Sequence, residues 1–216
     1  MCGIVGYNGA RPVTDFLLDA LELLEYRGYD SAGLATINAE TGRTKLRKCA
    51  GRVADLRKVC ENDKKQATCG IGHTRWATHG GVSDENAHPH RQGNVLLVHN
   101  GIVENYEELR DHFMLSKDLK SETDTEVVAG VLNRYYDGDP HKAIAQTVKH
   151  LKGTFALVII FDDIPDVIYA IRNVSPIVAA RTEDGTMLAS DVAALGSHAT
   201  EYMVVPEIDK SEAKRS

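Results

Sequence analysis

The sequence contains no apolar run that approaches the roughly 18 residues of a membrane-spanning helix. Its N-terminus also lacks the basic stretch and the hydrophobic core of a signal peptide. Cysteine is scarce, with 4 residues in 216, which is too sparse for a disulfide scaffold and predicts reduced thiols. Together these absences predict a cytoplasmic protein with no membrane partner.

Basic residues are outnumbered, since 25 lysines and arginines stand against 31 aspartates and glutamates, for a net charge of -6. Proteins that bind nucleic acid or membrane surfaces usually present a basic face, so the charge balance argues against both partners. The sequence has no G-x-G-x-x-G motif and no P-loop, and nothing therefore indicates a nucleotide. We predict no cofactor.

Histidine is frequent enough to raise the question of a metal site, but the spacings of known sites are missing. There is no C-x-x-C and no H-E-x-x-H motif. The potential ligands are His73, His79, His88, His90, His99 and Cys69. We predict no metal. The opposing hypothesis, a zinc-binding protein, requires zinc in the purified protein.

Hydrophobic residues make up 43% of the chain and charged residues 26%, proportions typical of a globular protein. A length of 216 residues fits one domain with a sizeable core. Strand hairpins are predicted at both ends, with helices grouped between them. This order predicts an α+β fold with largely antiparallel sheets. We expect one domain over residues 1–216, with a disordered polar tail at 209–216.

The start of the chain offers a nucleophile. Cys2 directly follows the initiator methionine, and removal of Met1 would give Cys2 a free α-amine beside its thiol. A thiol needs a base to become a good nucleophile, and an α-amine that titrates at roughly 7.7–8.0 can take its proton. The competing interpretation of Cys2 is a small apolar residue at the start of a strand.

Polar clusters follow three predicted strands, at 26–33, 74–80 and 99–101. If Cys2 attacks an acyl carbon, the Asn100 side-chain amide and the Gly101 backbone N–H are candidate donors to the oxyanion. Asn-Gly is also a common tight-turn dipeptide, at which the preceding strand is expected to stop. Taken alone, the dipeptide favours the turn.

Arg75, Trp76, Thr78 and His79 suit the recognition of a polar, charged small molecule. Arg75 can hold a carboxylate with two hydrogen bonds, and Trp76, the single tryptophan, can wall a pocket. An ordinary surface loop is an equal alternative for this segment. Asp124, at the start of a predicted helix, is interpreted as a helix cap or as a partner for a substrate ammonium group.

Six segments together resemble a known family. In chain order they are C-G-I-V-G at 2–6, L-E-Y-R-G-Y-D-S-A-G at 24–33, H-T-R-W-A-T-H-G at 73–80, N-A-H-P at 86–89, H-N-G-I at 99–102 and S-E-T-D-T-E at 121–126. The set is similar to the class II, or N-terminal nucleophile, glutamine amidotransferase domain. The sequences of the second and third segments resemble those of the glutaminase domain of isomerising glutamine–fructose-6-phosphate aminotransferases, also called glucosamine-6-phosphate synthases.

The resemblance implies a four-layer αββα sandwich of two mainly antiparallel sheets, and it implies two groups of site residues. The catalytic group is Cys2 as nucleophile, Asn100 and Gly101 as oxyanion hole, and Arg27 as support for the loop around Cys2. The substrate-binding group is Arg75 for the glutamine α-carboxylate, Asp124 for its α-ammonium group, and Trp76, Thr78, His79 and His88 around the pocket.

The implied reaction is hydrolysis of the L-glutamine side-chain amide to glutamate and ammonia through a γ-glutamyl thioester on Cys2. In the whole family enzyme, the ammonia passes to a sugar-phosphate isomerase domain that makes glucosamine 6-phosphate from fructose 6-phosphate. Isomerase domains are absent from this sequence. The expected partners are therefore L-glutamine and an isomerase domain, either linked or a separate subunit. The family assembly also implies a homodimer formed through the missing domain.

Two alternatives stay open at this point. The chain could be a glutaminase subunit that supplies ammonia to another acceptor, or a non-catalytic module that senses glutamine. The joint presence of Cys2, Asn100, Arg75 and Asp124 favours an enzyme over a sensor.

Overall fold

The computed structural model describes residues 2–38, 40–63, 67–77, 80–199 and 201–208. The strands in these ranges are Gly3–Gly9 (β1), Ser31–Ile37 (β2), Thr44–Ala50 (β3), Cys69–Arg75 (β4), His90–Gln92 (β5), Val95–Val103 (β6), Gly153–Phe161 (β7), Ile164–Asn173 (β8), Val178–Thr182 (β9), Gly185–Ala189 (β10) and Tyr202–Val204 (β11). The α-helices are Val13–Glu22 (α1), Val53–Val59 (α2), Tyr106–His112 (α3), Asp124–Tyr135 (α4) and Pro140–His150 (α5). Short 3-10 helices cover Glu25–Arg27 and Val192–Leu195.

The strands form two sheets, and neighbouring strands within each sheet pair in antiparallel fashion. The larger sheet has the order β11-β9-β10-β1-β4-β2-β3, and the smaller has the order β5-β6-β7-β8. β1, which follows Cys2, lies inside the larger sheet between β10 and β4. The ends of neighbouring strands therefore surround Cys2.

Side chains along the central strands point alternately to the two faces of each sheet, and both faces are covered, which produces four layers. In β7, Phe155 and Leu157 pack into the core shared with α4 and α5, whereas Ala156 and Val158 pack between the sheets. This is the period of two expected for a strand buried on both faces. The larger sheet is covered on its outer face by α1 and α2. The predicted α+β fold and the implied αββα sandwich are confirmed.

The prediction of a turn at Asn100-Gly101 is wrong. β6 continues through both residues to Val103, with Asn100 opposite Ala156 and Gly101 opposite Phe155. Gly101 has a φ of 128°, and a Cβ there would lie 2.1 Å from the Thr154 carbonyl oxygen. The glycine is required for a left-handed conformation and a close approach of β7, not for a chain reversal.

Within the described ranges, no helix has the length and apolar character that crossing a membrane would require. All four cysteines are free thiols; Cys49, Cys60 and Cys69 are buried, whereas Cys2 is partly exposed. The tail predicted at 209–216 lies outside the described residues.

Candidate active site

Cys2 lies beside the end of β4, because Gly3 pairs with Thr74. The Cys2 Sγ accepts a hydrogen bond from the Trp76 backbone N–H at 3.3 Å. A Cβ on Gly3 would lie 2.6 Å from Thr74 Oγ1 and 2.8 Å from Leu24 Cβ. A glycine after Cys2 therefore lets β1 pack closely enough against its neighbours to bring the thiol to Trp76.

The thiol is not activated by its protein surroundings alone. Burial raises the pKa of the Cys2 thiol, and the hydrogen bond with the Trp76 backbone opposes this shift only in part. A thiol with a raised pKa is protonated at neutral pH and is a weak nucleophile. Any reaction at Cys2 therefore needs a base close to Sγ.

The main chain at Cys2 is held by two side chains. Arg27 Nε donates to the Cys2 carbonyl oxygen at 3.2 Å, and Asn100 Nδ2 donates to the same oxygen at 3.0 Å. Arg27 also forms a 2.5 Å ion pair with Asp191, and the Tyr26 hydroxyl donates to Asp191 at 2.9 Å. Residues from three separate parts of the chain thereby fix the position of Cys2.

The carboxylate of Asp191 remains charged at neutral pH. A hydrogen bond from the Ala193 backbone N–H lowers the pKa of Asp191, and the Tyr26 hydroxyl and Arg27 lower it further. Since Asp191 stays ionised, it keeps the Arg27 guanidinium paired and oriented toward the Cys2 carbonyl.

A narrow cavity of about 20 Å³ adjoins the thiol. Its lining consists of Cys2, Arg75, Trp76, His88, His99, Gly101, Thr123, Asp124 and Thr125. Two of these residues bring buried side chains of opposite charge, since Arg75 is only 3% exposed and Asp124 only 6%. A buried cation and a buried anion in one cavity can bind a molecule that carries both charges, such as an α-amino acid.

Backbone contacts hold both charged groups in place. The Arg75 guanidinium donates to the carbonyl oxygens of Gly80 and Gly81 at 3.2 and 3.1 Å. Asp124 Oδ2 accepts a hydrogen bond from the Val103 backbone N–H at 2.9 Å. Thr123 caps α4 by accepting from the Glu126 N–H, so Asp124 is the first residue of the helix and not its cap.

A second cavity of about 260 Å³ also opens at the thiol. Cys2, Trp76 and Gly101 line both cavities, whereas Ile102 and Pro176 line only the larger one. Trp76 is 49% exposed and packs edge-on against Tyr29, with ring centroids 5.5 Å apart. The thiol therefore lies between a narrow charged cavity and a wider, more apolar one.

A cavity of about 530 Å³ between α1 and α2 is larger than either, but none of the described residues predicted for the site lines it. Its Arg57 is paired with Asp19 and Glu22. It lies beside the helices that cover the larger sheet and is separate from the thiol. Volume alone therefore does not identify the chemical site.

The histidines considered as metal ligands are largely packed against one another. His73 and His88 have ring centroids 4.2 Å apart, and His88 and His90 have centroids 4.8 Å apart. In the part of the chain that the structure describes, no group of three or more histidine, cysteine, aspartate or glutamate residues is arranged to hold a metal ion.

Burial keeps these imidazoles neutral. His73, His88 and His90 are each at most 5% exposed. Burial lowers the pKa of His73 to about 3, and it lowers the pKa values of His88 and His90 well below the ordinary value. In the unfolded chain the same groups titrate near 6.5.

We expect the free energy of unfolding to fall as the pH is lowered from about 6.5, the ordinary histidine pKa. Below this pH the unfolded chain binds protons that the buried imidazoles exclude, so each contributes a slope of up to about 1.4 kcal/mol per pH unit. For His73 the pH range over which the unfolded chain binds this extra proton extends down to about pH 3. Urea unfolding between neutral pH and about pH 5 measures the slope.

A His73→Gln variant serves as the control for this prediction. Its free energy of unfolding should depend less steeply on pH, because glutamine does not titrate and the unfolded chain therefore takes up one proton fewer at most. An unfolding free energy that stays constant across the window would contradict the neutral, buried state of the three histidines.

The structure brings together most of the residues expected at the site. Those near the thiol are Cys2, Arg27, Arg75, Trp76, His88, Asn100, Gly101 and Asp124. Thr78 and His79 lie outside the described residues.

Sequence reasoning missed three residues that position the site. Asp191 gave no signal, because it lies 164 residues from its partner Arg27. Asp30 accepts a hydrogen bond from the Ala77 backbone N–H, and its place in the polar cluster at 26–33 was the available hint. His73 was considered only as a metal ligand, although its ring lies 3.1 Å from Asn100 Oδ1.

Two solved structures superpose on most of this chain. Glutamine phosphoribosylpyrophosphate amidotransferase from B. subtilis superposes with a TM-score of 0.82 and 23% identity, over 95% of this chain and 46% of that protein. A glutamine aminotransferase class-II domain protein from Silicibacter pomeroyi superposes with a TM-score of 0.62 and 19% identity, over 88% of each chain. At these identities the likeness establishes the fold, which is that of the N-terminal nucleophile amidotransferases.

The sequence identifies the family. The sequence model of the glutamine amidotransferase domain matches residues 73–197, more than half of the chain. The chain therefore belongs to the glutamine amidotransferase domain family, a family of enzymes.

Curated relatives carry a more specific name. The proteins from Clostridium acetobutylicum and Symbiobacterium thermophilum are 42% and 46% identical over 96% of this chain, and the protein from Aquifex aeolicus is 44% identical over 96%. All three are named glutamine–fructose-6-phosphate aminotransferase [isomerizing]. The chain spans only about a third of their length, namely 34% to 35%.

Proposed function

We propose that this chain is a single glutaminase domain that hydrolyses the side-chain amide of L-glutamine to glutamate and ammonia. One observation carries the proposal. The Cys2 thiol adjoins a cavity that holds two buried side chains of opposite charge, Arg75 and Asp124, while the Asn100 amide nitrogen lies 3.0 Å from the Cys2 carbonyl oxygen.

The two charges match the amino-acid end of glutamine. Arg75 binds the α-carboxylate, for which the guanidinium has matching geometry, and Asp124 binds the α-ammonium group. A cavity of about 20 Å³ has room for little more than one water molecule. Binding of glutamine therefore requires the groups that line this cavity to move apart. Trp76 and His88 complete the described part of the wall.

Formation of the thioester requires the free α-amine of Cys2, and hence removal of Met1. The amine takes the thiol proton, and Sγ attacks the side-chain amide carbon of glutamine. The resulting oxyanion accepts hydrogen bonds from Asn100 Nδ2 and the Gly101 N–H. The protonated α-amine of Cys2 returns the proton to the leaving nitrogen, the C–N bond of the glutamine amide breaks, and ammonia departs.

Hydrolysis of the thioester repeats these roles. The α-amine removes a proton from water, the hydroxide attacks the γ-glutamyl carbon, and the same two donors stabilise the second oxyanion. The C–S bond breaks, Sγ takes back a proton, and glutamate leaves. Arg27 acts throughout by holding the Cys2 main chain through its carbonyl oxygen, 3.2 Å from Nε.

We further propose that the ammonia serves glucosamine 6-phosphate synthesis in a cytoplasmic enzyme. The support is the shared name of the relatives at 42% to 46% identity, together with the four free thiols. The acceptor would be a sugar-phosphate isomerase domain, linked or separate, through which the whole enzyme dimerises. Mixing this chain with such a domain, L-glutamine and fructose 6-phosphate should yield glucosamine 6-phosphate and glutamate, and release of glutamate without the amino sugar would favour another acceptor.

The test of the glutaminase function is an intact mass before and after treatment with 6-diazo-5-oxo-norleucine, an electrophilic glutamine analogue. We expect a chain without Met1 that gains one adduct, located on Cys2 by peptide mapping. Excess glutamine should protect against labelling, because it occupies the same cavity.

A Cys60→Ala variant is the control, since this buried thiol lies outside the site and its loss should leave labelling intact. A chain that lacks Met1 and takes up no adduct at Cys2 would contradict the proposed function.

A further inference from the structure

A cluster of buried imidazoles lies behind the proposed oxyanion hole. Its members are His73, His88, His90 and His99, with exposed fractions of 0%, 5%, 2% and 3%. None of them has a step in the reaction described above. One of them, His73, contacts both the cluster and the Asn100 side chain.

The proton on the His73 ring can be assigned from its neighbours. A neutral imidazole has one N–H and one lone pair. His73 Nε2 lies 3.1 Å from the His99 backbone carbonyl oxygen, which can only accept a hydrogen bond. His73 Nδ1 has no hydrogen-bond partner among the described residues. A proton on Nδ1 would be a buried, unsatisfied donor, so the proton belongs on Nε2.

His88 completes this assignment. Its Nδ1 lies 3.1 Å from His73 Nε2, and two N–H groups pointing at each other would repel. Since His73 Nε2 carries a proton, His88 Nδ1 presents a lone pair. Burial keeps both rings neutral, so the arrangement persists across the neutral pH range.

The assigned proton determines which way the Asn100 amide faces. The oxygen and nitrogen of an asparagine side chain exchange places when the amide rotates by half a turn. Only the orientation with Oδ1 toward His73 pairs a donor with an acceptor. In that orientation Nδ2 faces Cys2, 3.0 Å from its carbonyl oxygen. In the reverse orientation, a carbonyl oxygen would face the developing oxyanion.

We propose that His73, backed by His88, is a positioning residue that orients the Asn100 amide so that Nδ2 faces the reaction centre at Cys2. This inference rests on the proposed glutaminase function and adds a residue that does not itself touch the substrate. It predicts an effect on the turnover step and little effect on glutamine binding, which involves Arg75 and Asp124.

The test compares His73→Leu with His73→Gln in steady-state glutamine hydrolysis. Leucine removes the donor, and we expect kcat to fall about 10- to 100-fold, a fraction of the loss seen for a whole oxyanion donor, with KM changed less than about threefold. The glutamine side chain can supply an N–H near the position of Nε2, so His73→Gln should recover part of the lost kcat. Alkylation of Cys2 by iodoacetamide, which forms no oxyanion, should proceed at the wild-type rate in both variants.

A His90→Leu variant separates positioning from general packing. His90 is equally buried but contacts Thr123 instead of Asn100. It should lower the midpoint of urea unfolding, with kcat retained within about threefold. An equal loss of kcat in His90→Leu and His73→Leu would overturn the proposal.

A double-mutant cycle provides the sharpest comparison. In an Asn100→Ala background His73 has no amide to orient, so His73→Leu should lower kcat less than about twofold further. If the two substitutions lowered kcat by independent factors that multiply in the double variant, the positioning role would be overturned.

Two further outcomes keep the proposal distinct from the function on which it rests. If wild-type chain hydrolyses glutamine and His73→Leu retains full kcat, only the positioning role fails. If the processed wild-type chain neither hydrolyses glutamine nor reacts with the diazo analogue, the proposed function itself fails. Should His73→Leu not fold, nitrogen NMR of the wild-type imidazoles decides: a proton on His73 Nε2 supports the proposal, and a proton on Nδ1 overturns it.

Discussion

Cys2→Ala is expected to lower glutamine hydrolysis by about 10⁴-fold or more, since loss of a covalent nucleophile removes the whole thioester route. The fold should survive, because the Cys2 side chain is partly exposed and, among the described residues, its sulfur hydrogen-bonds only with the Trp76 backbone. The change in the free energy of unfolding should stay within about 1 kcal/mol. Ammonia release and urea unfolding measure the two quantities on one preparation.

Cys69→Ala is the matched control, because it deletes a thiol buried between the two sheets. It should reverse the pattern, with lower stability and retained labelling by the diazo analogue. Measurable hydrolysis by purified Cys2→Ala, at a rate within about a hundredfold of wild type, would rule out the Cys2 thioester mechanism.

Asn100→Ala is expected to lower kcat by about 10²- to 10³-fold, the usual cost of one oxyanion donor, while KM changes only a few-fold. The reason is that Asn100 Nδ2 lies 3.0 Å from the Cys2 carbonyl oxygen, whereas in the proposed function Arg75 and Asp124 bind the amino-acid end of glutamine. Steady-state kinetics with glutamine separate the two constants. If Asn100 were only a strand residue, the variant would lose stability and keep its turnover.

Asn105→Ala is a matched asparagine control. Asn105 is buried to a similar degree, 7% exposed against 8% for Asn100, and its side chain bonds to the backbone of His150 and Lys152. We expect this variant to lose stability without a change in kcat. A loss in kcat below tenfold for Asn100→Ala would assign Asn100 a structural role only.

Local signals predicted much of the fold. Strand hairpins at both ends with helices between them predicted an α+β protein with antiparallel sheets. Thr123 caps α4 as its residue type suggests. The exception is Asn100-Gly101, where the turn preference of the dipeptide lost to pairing with β7. Local preference carries no information about β7, whose Ala156 and Phe155 pair with Asn100 and Gly101 from more than 50 residues away and decide the conformation.

The same limit applies to the site. The residue types at Cys2, Arg75 and Asp124 already suggested a nucleophile, a carboxylate ligand and an ammonium ligand. Their separation in the chain said nothing of whether they meet. The contact of Arg27 with Asp191 and that of His73 with Asn100 depend on strands that are distant in sequence, so no spacing rule could have found them.

By itself, the sequence determined the class of this protein, because six short segments in one order carry the chemistry of a glutamine amidotransferase domain. Tertiary structure decided how those residues work together. Packing of two sheets brings β1, β4 and β6 to one point, with Cys2 between two cavities and Asn100 turned by His73. The sequence gives the type of each side chain, whereas the distances and orientations of the site residues arise only from contacts between distant parts of the folded chain.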